Sequence, residues 1–210
     1  MDKNCVICAR APYYFGLGHS IYLNASIPII CHKSGFALDV GCNICLLKAF
    51  LPNEMEYIGV DISVEALKLA KGANRILCDA RLLPFRDCSF DVIFAFEVLE
   101  HLYDSEKIVS EIRRVVKSDG EFAVSVPNAR SPFSRISYNG KDHVHWFTPR
   151  SLESMLDHFG FKYSRISNDI FLPILKVKLG KFAKLLPLDW HELIIRLCHL
   201  KHFNKKDVTA

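Results

Sequence analysis

The stretch from Phe36 to Cys45, FALDVGCNIC, constrains the fold of this chain more than any other. An apolar run ends in an aspartate and a glycine turn, and a short apolar pattern of helical character follows. This pattern predicts a buried strand, a tight turn and the N-terminus of a helix. In doubly wound α/β folds a nucleotide-like ligand docks at such a junction, because helix N–H groups and close backbone approach favour it.

Strand-like and helix-like patterns alternate from Phe36 onwards. Apolar or alternating runs predict strands at 36–40, 57–60, 75–78, 91–96, 121–126, 161–167 and 193–198. Helical patterns fall at 44–50, 64–71, 105–116 and 151–159, with Ser63, Ser105 and Thr148 as caps. The alternation predicts a three-layer, Rossmann-like α/β fold, with a mostly parallel seven-stranded sheet and helices on both faces.

Length and composition indicate one soluble domain. The chain has 210 residues, half of them hydrophobic, which suffices for a sizeable core. It has no run of the roughly 20 apolar residues that a spanning helix needs, and its first residues lack the apolar part of a secretion signal. We therefore expect a cytoplasmic protein whose eight cysteines are reduced, several of them buried.

Pattern and charge divide the chain into three parts. Residues 1–34 form an N-terminal segment that is a candidate lid or cap, 35–170 form the core, and 171–210 hold a basic amphipathic helix, a candidate last strand and a loose tail. The last part carries a net charge of +5 and the remainder −1, which gives no electrostatic indication of nucleic acid as a partner. The stretch 171–188 either lies on an anionic membrane surface or packs on the sheet, and we favour packing.

Two Cys-x2-Cys pairs raise the question of a zinc site. Cys5 and Cys8 resemble half of a zinc knuckle, and Cys42 and Cys45 offer a second half. The 33 residues between the pairs exceed the usual spacing of a zinc ribbon, and the second pair lies inside the glycine turn. We therefore interpret these cysteines as free thiols.

An aspartate ends each of the first three predicted strands: Asp39, Asp61 and Asp79. The ligand crevice of this fold lies outside the carboxyl ends of the strands, so three carboxylates in register would converge on one site. The alternative is that they cap helices and turns, a common use of aspartate. The glycine turn after the first aspartate favours a binding site.

Four ordered motifs resemble those of class I S-adenosylmethionine-dependent methyltransferases. They are LDVGC, IGVDIS, CDARLLPFRDCSFDVIFAFEVLEHL and VKSDGEFAVSVPN, and the resemblance covers about residues 36–165. It is strongest for the subgroup that includes the ubiquinone- and menaquinone-biosynthesis enzymes. The run from Asp79 to Asp91 followed by E-V-L-E-H is the most specific part.

The resemblance implies a role for each cofactor-facing residue. It assigns Asp39 to the methionine amino end, Asp61 to the ribose hydroxyls and Asp79 to the adenine amino group. The implied cofactor-binding set is Asp39, Gly41, Cys42, Asn43, Asp61, Ile62, Asp79, Ala80, Phe96 and Glu97. Of these, Gly41–Asn43 would pass beneath the cofactor, the Ala80 N–H would lie near adenine, and Phe96 and Glu97 would face the methionyl part.

The glycine turn departs from the G-C-G-x-G usual in that family. Here it reads Gly41-Cys42-Asn43-Ile44-Cys45. Asparagine tolerates positive φ, but Cys45 places a thiol where helix and cofactor come close. The expected consequence is weak or shifted cofactor binding. The alternative is a catalytically inactive, methyltransferase-like binding module.

Histidines mark the expected acceptor side. His101 follows the fourth strand, and His143, His145 and Trp146 lie in the loop after the fifth. His101 and His145 are candidate catalytic residues, because a histidine near neutral pKa can deprotonate a hydroxyl acceptor. The alternative is that both only hold the local structure together. Glu97, Glu100 and His101 at i, i+3 and i+4 resemble the metal ligands of some relatives that act on catechol-like hydroxyls, but with no further ligand marked we predict no metal.

The sequence thus predicts methyl transfer from S-adenosylmethionine to oxygen, nitrogen or carbon of a small or lipid-linked acceptor. A cytoplasmic protein with peripheral membrane contact through 171–188 would fit a lipid-linked acceptor. A nicotinamide-dependent oxidoreductase is disfavoured because G-x-G-x-x-G is absent. The acceptor and the oligomeric state are not predicted.

Overall fold

The structure, a computed structural model, describes residues 34–130, 143–166 and 194–199. The predicted lid or cap at the N-terminus, the Cys5–Cys8 pair, the amphipathic helix at 171–188 and the loose tail lie outside the described residues. No helix of the described part is long and apolar enough to cross a bilayer.

One sheet carries all the strands described. They are β1 Gly35–Val40, β2 Met55–Asp61, β3 Asn74–Leu77, β4 Phe90–Phe96, β5 Val116–Val126, β6 Lys162–Ile166 and β7 Ile194–His199. Their spatial order is β3-β2-β1-β4-β5-β7-β6. Strands β1 to β5 pair in parallel, and β7 pairs antiparallel with both β5 and β6. The prediction of an α/β fold built on a parallel sheet is confirmed.

The helices lie between these strands. They are α1 Val64–Leu69, α2 Ser105–Val115 and α3 Pro149–His158, with 3₁₀ helices at Leu46–Phe50 and Leu99–His101. The Ser63 hydroxyl accepts from the Ala66 N–H at the start of α1, and Thr148 forms a capping box with Ser151 at the start of α3. Two of the three predicted caps are therefore confirmed. At α2 the N-cap is Asp104 instead of Ser105, and its side chain makes no capping hydrogen bond.

Two predicted elements differ from the structure in extent. The segment 44–50 is expected to be a short helix; Cys45 has left-handed dihedrals, so the helix begins only at Leu46 and is a 3₁₀ helix, Leu46–Phe50. The fifth strand begins at Val116 instead of Glu121, so the predicted turn at Asp119-Gly120 lies inside β5. The register between β4 and β5 shifts here, and Lys117 forms an ion pair with Asp91 across the irregularity at 2.7 Å.

Apolar side chains form two clusters on alternate strand residues. Leu38 and Ile93 belong to one cluster, together with the buried faces of α2 and α3. Ala37 and Phe94 belong to the other, with Leu67 of α1. Since successive strand residues point to opposite faces, an apolar cluster packs on each face of the sheet. The carboxyl ends of β1 to β4 remain as the accessible edge.

Candidate functional site

A cavity of about 220 Å³ lies at the carboxyl ends of β1 to β4. Eight residues expected from the sequence line it: Gly41, Asn43, Asp61, Ile62, Asp79, Ala80, Glu97 and His101. Four do not: Asp39, Cys42, Phe96 and His145 are absent from its lining. The edge of the sheet therefore brings most, but not all, of the candidate residues together.

The turn after β1 is tight and has left-handed backbone at three positions. The φ angles are 71° at Gly41, 48° at Asn43 and 59° at Cys45. The N–H groups of Gly41 and Cys42 both donate to the Val60 carbonyl, at 2.8 and 3.0 Å. A Cβ on Gly41 would lie 2.4 Å from a methyl carbon of Val98. Only glycine allows the chain to pass this closely under the cavity.

The thiols of the turn point away from the cavity. Cys42 and Cys45 are each 6% exposed, and their Sγ atoms are 3.5 Å apart. Both lie over Gly59 of β2, where a Cβ would be 2.7 and 2.8 Å from the two sulfurs. The expectation that the Cys45 thiol crowds the cofactor is therefore corrected: a glycine on the neighbouring strand makes room for both thiols.

The three aspartates are staggered instead of in register. Asp39 pairs with Gly59, two residues before Asp61, and Asp61 pairs with Leu77, two residues before Asp79. At about 3.3 Å per residue, each step along the sheet advances the carboxylate by roughly 7 Å. Only Asp61 and Asp79 line the cavity, so the expected convergence of all three is wrong for Asp39.

Asp61 is held firmly by backbone donors. One carboxylate oxygen accepts from the Asn43 N–H and the other from the Ser63 N–H, both at 2.8 Å. Each oxygen retains a lone pair for a further donor. The side chain thus ties the glycine turn to the start of α1 and offers acceptors to the cavity.

Asp79 is held by Arg81, a residue that the sequence reasoning missed. The Arg81 guanidinium contacts both carboxylate oxygens, with Nη2 at 2.6 Å, and the Arg81 N–H donates to one of them at 2.9 Å. These bonds hold the pKa of Asp79 below its ordinary value. An acidic residue followed two positions later by arginine is a local pattern that could have indicated the pair.

Asp39 lies beneath the cavity and is 6% exposed. The Tyr57 hydroxyl donates to its carboxylate at 2.7 Å. Burial raises the pKa of Asp39 to about 7, although the hydrogen bond from Tyr57 opposes the shift. This carboxyl therefore links β1 to β2 through Tyr57 and does not line the cavity.

Glu97 directly follows β4 and has a left-handed conformation, with φ of 55°. The Ser125 hydroxyl donates to one of its carboxylate oxygens at 2.8 Å. Burial raises the pKa of Glu97 to about 7. The preceding Phe96 is half-buried and packs against Phe94, with ring centroids 5.6 Å apart.

The two candidate catalytic histidines occupy different positions. His101 lines the cavity, whereas His145 Nε2 lies 2.8 Å from the Tyr103 carbonyl oxygen. The His143 ring stands against His101, with centroids 4.8 Å apart. The geometry thus places His101 at the cavity and leaves His145 in a contact that stabilises the loop.

The polar groups of the cavity match the donors of an adenosyl ligand. Asp61 and Asp79 present acceptors at neighbouring strand tips. The side-chain oxygen of Asn43 is buried without a hydrogen-bond partner in the structure, and such a group favours a ligand donor. An elongated ligand with hydroxyl and amino donors fits this set.

Residues 38–124 match the family model described as "Methyltransferase domain". An uncharacterised protein of Methanocaldococcus jannaschii is 34% identical over 145 residues, which cover 67% of this chain and 61% of that protein. A protein of Mycolicibacterium smegmatis named as a probable S-adenosylmethionine-dependent methyltransferase is 37% identical over 87 residues, or 38% of this chain and 32% of that one. The chain thus spans less than two thirds of the length of these relatives.

A solved structure shows the likeness of the fold. Phosphoethanolamine N-methyltransferase 2 of Haemonchus contortus, in complex with S-adenosyl-L-methionine, superposes with a TM-score of 0.62 at 16% identity. The superposition covers 86% of this chain and 51% of that one. The sheet at whose edge the cavity lies therefore has the architecture of a methyltransferase fold.

Proposed function

From the match of residues 38–124 to the family described as "Methyltransferase domain", we propose that this protein is a class I S-adenosylmethionine-dependent methyltransferase. The observation that carries the proposal is the cavity lined by the glycine turn and by the aspartates after β2 and β3. When bound, the cofactor supplies an electrophilic methyl group on a sulfonium. The chain's own task is to align the reactants and exclude water, which can lower a barrier by about 7–11 kcal/mol.

The adenosyl end is assigned to the tips of β2 and β3. Asp61, fixed by two backbone N–H groups, would accept from the ribose hydroxyls. Asp79, together with the Ala80 N–H, would bind adenine. Ile62 lines the cavity and is 60% exposed, so it offers an apolar surface for the base.

The methionyl end is assigned to the glycine turn and the end of β4. The side-chain oxygen of Asn43 would accept from the cofactor's amino group, in place of the buried Asp39. Glu97 also lines the cavity, and its pKa of about 7 would let it carry a charge that favours a sulfonium. Phe96, which packs against Phe94, would stabilise the end of β4 beside the methionyl group.

The acceptor is proposed to be a small or lipid-linked molecule, by resemblance to the quinone-biosynthesis subgroup. His101 lines the cavity and is the favoured general base for a hydroxyl acceptor. His145 would position the loop through the Tyr103 carbonyl. Contact of 171–188 with a membrane surface, the alternative to the favoured packing on the sheet, would suit a lipid-linked acceptor.

Calorimetric titration with S-adenosylmethionine and S-adenosylhomocysteine tests the function. Wild-type protein should bind both, and Asp61→Asn should weaken binding at least about tenfold, since a charged hydrogen bond is worth roughly 1.5–3 kcal/mol. Glu65→Gln, an exposed change on α1, is the matched control and should bind as wild type does. A folded wild-type protein that gives no heat at about millimolar ligand would overturn the proposal and indicate an inactive binding module.

A further inference from the structure

Cys42 and Cys45 are two buried thiols that the proposed methyl transfer does not use. Neither lines the cavity, and both are free, with Sγ atoms 3.5 Å apart. Gly59 leaves room for the two sulfurs side by side, since a Cβ there would lie 2.7 and 2.8 Å from them. The glycine turn thus holds a pair of thiols in contact.

The backbone of the turn gives no reason for a cysteine at position 45. Cys45 has φ of 59° and ψ of 36°, a left-handed conformation that glycine adopts without strain and a residue with a side chain adopts at a cost. Its sulfur does not reach the cavity either. Beyond filling space, the property that cysteine adds here is the chemistry of a second thiol beside Cys42.

The two thiols differ in acidity. When Cys45 is ionised, only the Cys42 thiol can donate between them, and this hydrogen bond holds the pKa of Cys45 below its ordinary value. The same hydrogen bond raises the pKa of Cys42. The pair therefore offers one thiolate to attack an oxidant and one neighbouring thiol to complete a disulfide. Each residue is 6% exposed, so a small, neutral oxidant such as hydrogen peroxide suits the pair.

We propose that Cys42 and Cys45 are a redox modification site, which hydrogen peroxide converts into a disulfide that weakens cofactor binding. The Cys45 thiolate attacks one peroxide oxygen, the O–O bond breaks, and a sulfenic acid and hydroxide form. The Cys42 sulfur then displaces hydroxide from the sulfenic acid, and its proton leaves with that hydroxide as water. Together with the proton that Cys45 released, the two thiols give up two hydrogens, and the peroxide is reduced to two waters. A dithiol reductant reverses the change by exchange.

The disulfide acts on the cavity through the turn. An S–S bond is about 2.05 Å long, so the two sulfurs must approach each other by roughly 1.5 Å. Asn43 lies inside the ring that this bond closes; it lines the cavity, and its N–H donates to the Asp61 carboxylate at 2.8 Å. Movement of the turn displaces both groups from the ligand. This coupling rests on the proposed function, whereas formation of the disulfide does not.

The test treats reduced full-length protein with hydrogen peroxide and then removes the excess. Peptide mapping by mass spectrometry without reductant should find Cys42 joined to Cys45, with a mass about 2 Da below that of the dithiol. Calorimetric titration should show S-adenosylhomocysteine bound at least about tenfold more weakly than before treatment, as expected when a hydrogen bond to a charged group is lost. Dithiothreitol should restore the original affinity.

Three serine variants identify the thiols responsible. Cys45→Ser should bind S-adenosylhomocysteine equally before and after peroxide. Cys88→Ser, which removes an exposed free thiol, is the matched control and should remain as sensitive as the wild type. Cys78→Ser should also remain sensitive; it is included because Cys78 lines the cavity, where its own oxidation would block the ligand directly. Circular dichroism checks that each variant folds.

The outcomes separate this proposal from the proposed function. The proposal is overturned if mapping finds no bond between Cys42 and Cys45, if the disulfide forms without changing affinity, or if Cys78→Ser instead of Cys45→Ser abolishes the sensitivity. Reduced protein that binds no S-adenosylhomocysteine overturns the methyltransferase function and with it the regulation. The peptide map, which involves no ligand, still decides in that case whether the disulfide forms.

Discussion

Replacing Asp39 with asparagine should remove much of the pH dependence of folding stability. Burial raises the pKa of Asp39 from 3.8 to about 7 in the folded chain. Between these two values the folded state therefore keeps a proton that the unfolded state has released. Because the folded state binds more protons, the free energy of unfolding falls as the pH rises through this window.

The magnitude follows from the two pKa values. A difference of roughly 3 units, at about 1.36 kcal/mol each, amounts to roughly 4 kcal/mol at a pH above both. Linkage places roughly 3 kcal/mol of this between pH values of about 5 and 8. Asparagine has nearly the same shape and can still accept from the Tyr57 hydroxyl, but it does not titrate. Relative to the wild type, Asp39→Asn should therefore gain roughly 3 kcal/mol of stability over that range.

Urea denaturation followed by circular dichroism, repeated across this pH range, measures the effect. Glu97 also has a pKa raised to about 7, so the wild-type curve contains more than one contribution. The difference between Asp39→Asn and wild type isolates the carboxyl of interest, provided that the denaturant slopes agree. Stability curves of the two proteins that run parallel from acid to alkaline pH would refute the reasoning.

Three further predictions test the turn and a cap. Gly59→Ala should destabilise the fold by about 1–3 kcal/mol by overpacking against the two thiols. Adding Cys45→Gly to that variant should recover part of the lost stability, since the φ of 59° at Cys45 suits glycine. Equal melting temperatures of the single and double variants would contradict this account. Gly41→Ala should abolish calorimetric binding of S-adenosylhomocysteine, because the new Cβ would displace Val98 at the cavity. Unchanged binding would count against the cavity as the cofactor site. Thr148→Ala should lower stability by about 1 kcal/mol through loss of the α3 capping box, read as a lower melting temperature.

The strand pattern and the position of the ligand edge could be predicted because both depend on local chemistry. Alternating apolar runs identify buried strands, and an acidic residue or a glycine directly after such a run identifies the strand's end. This reasoning placed Gly41, Asp61 and Asp79 at one cavity. The likeness of 38–124 to methyltransferase domains agrees with that placement.

Features that depend on residues distant in the sequence could not be predicted. The direction of the Cys42 and Cys45 thiols depends on the absence of a side chain at Gly59, which lies on another strand. The buried state of Glu100 depends on a loop more than forty residues away, which covers it with His143. Spacing along a sequence shows which residues share a helical face, but it does not show what packs against that face.

The stagger of the strand tips explains why three similar aspartates have different properties. Asp39 is the fifth residue of a six-residue strand, so its carboxyl lies within the sheet, where burial raises its pKa. Asp61 is the last residue of β2 and Asp79 lies two residues beyond β3, so both carboxylates are less buried than that of Asp39 and both line the cavity. Arg81 lowers the pKa of Asp79 by binding a carboxylate that protrudes far enough to be reached. The same stagger spreads the acceptors over about 7 Å per step, which suits an elongated ligand better than a compact one. The sequence motifs place each aspartate near the end of a strand. The pairing register determines whether that aspartate is buried within the sheet or lines the cavity.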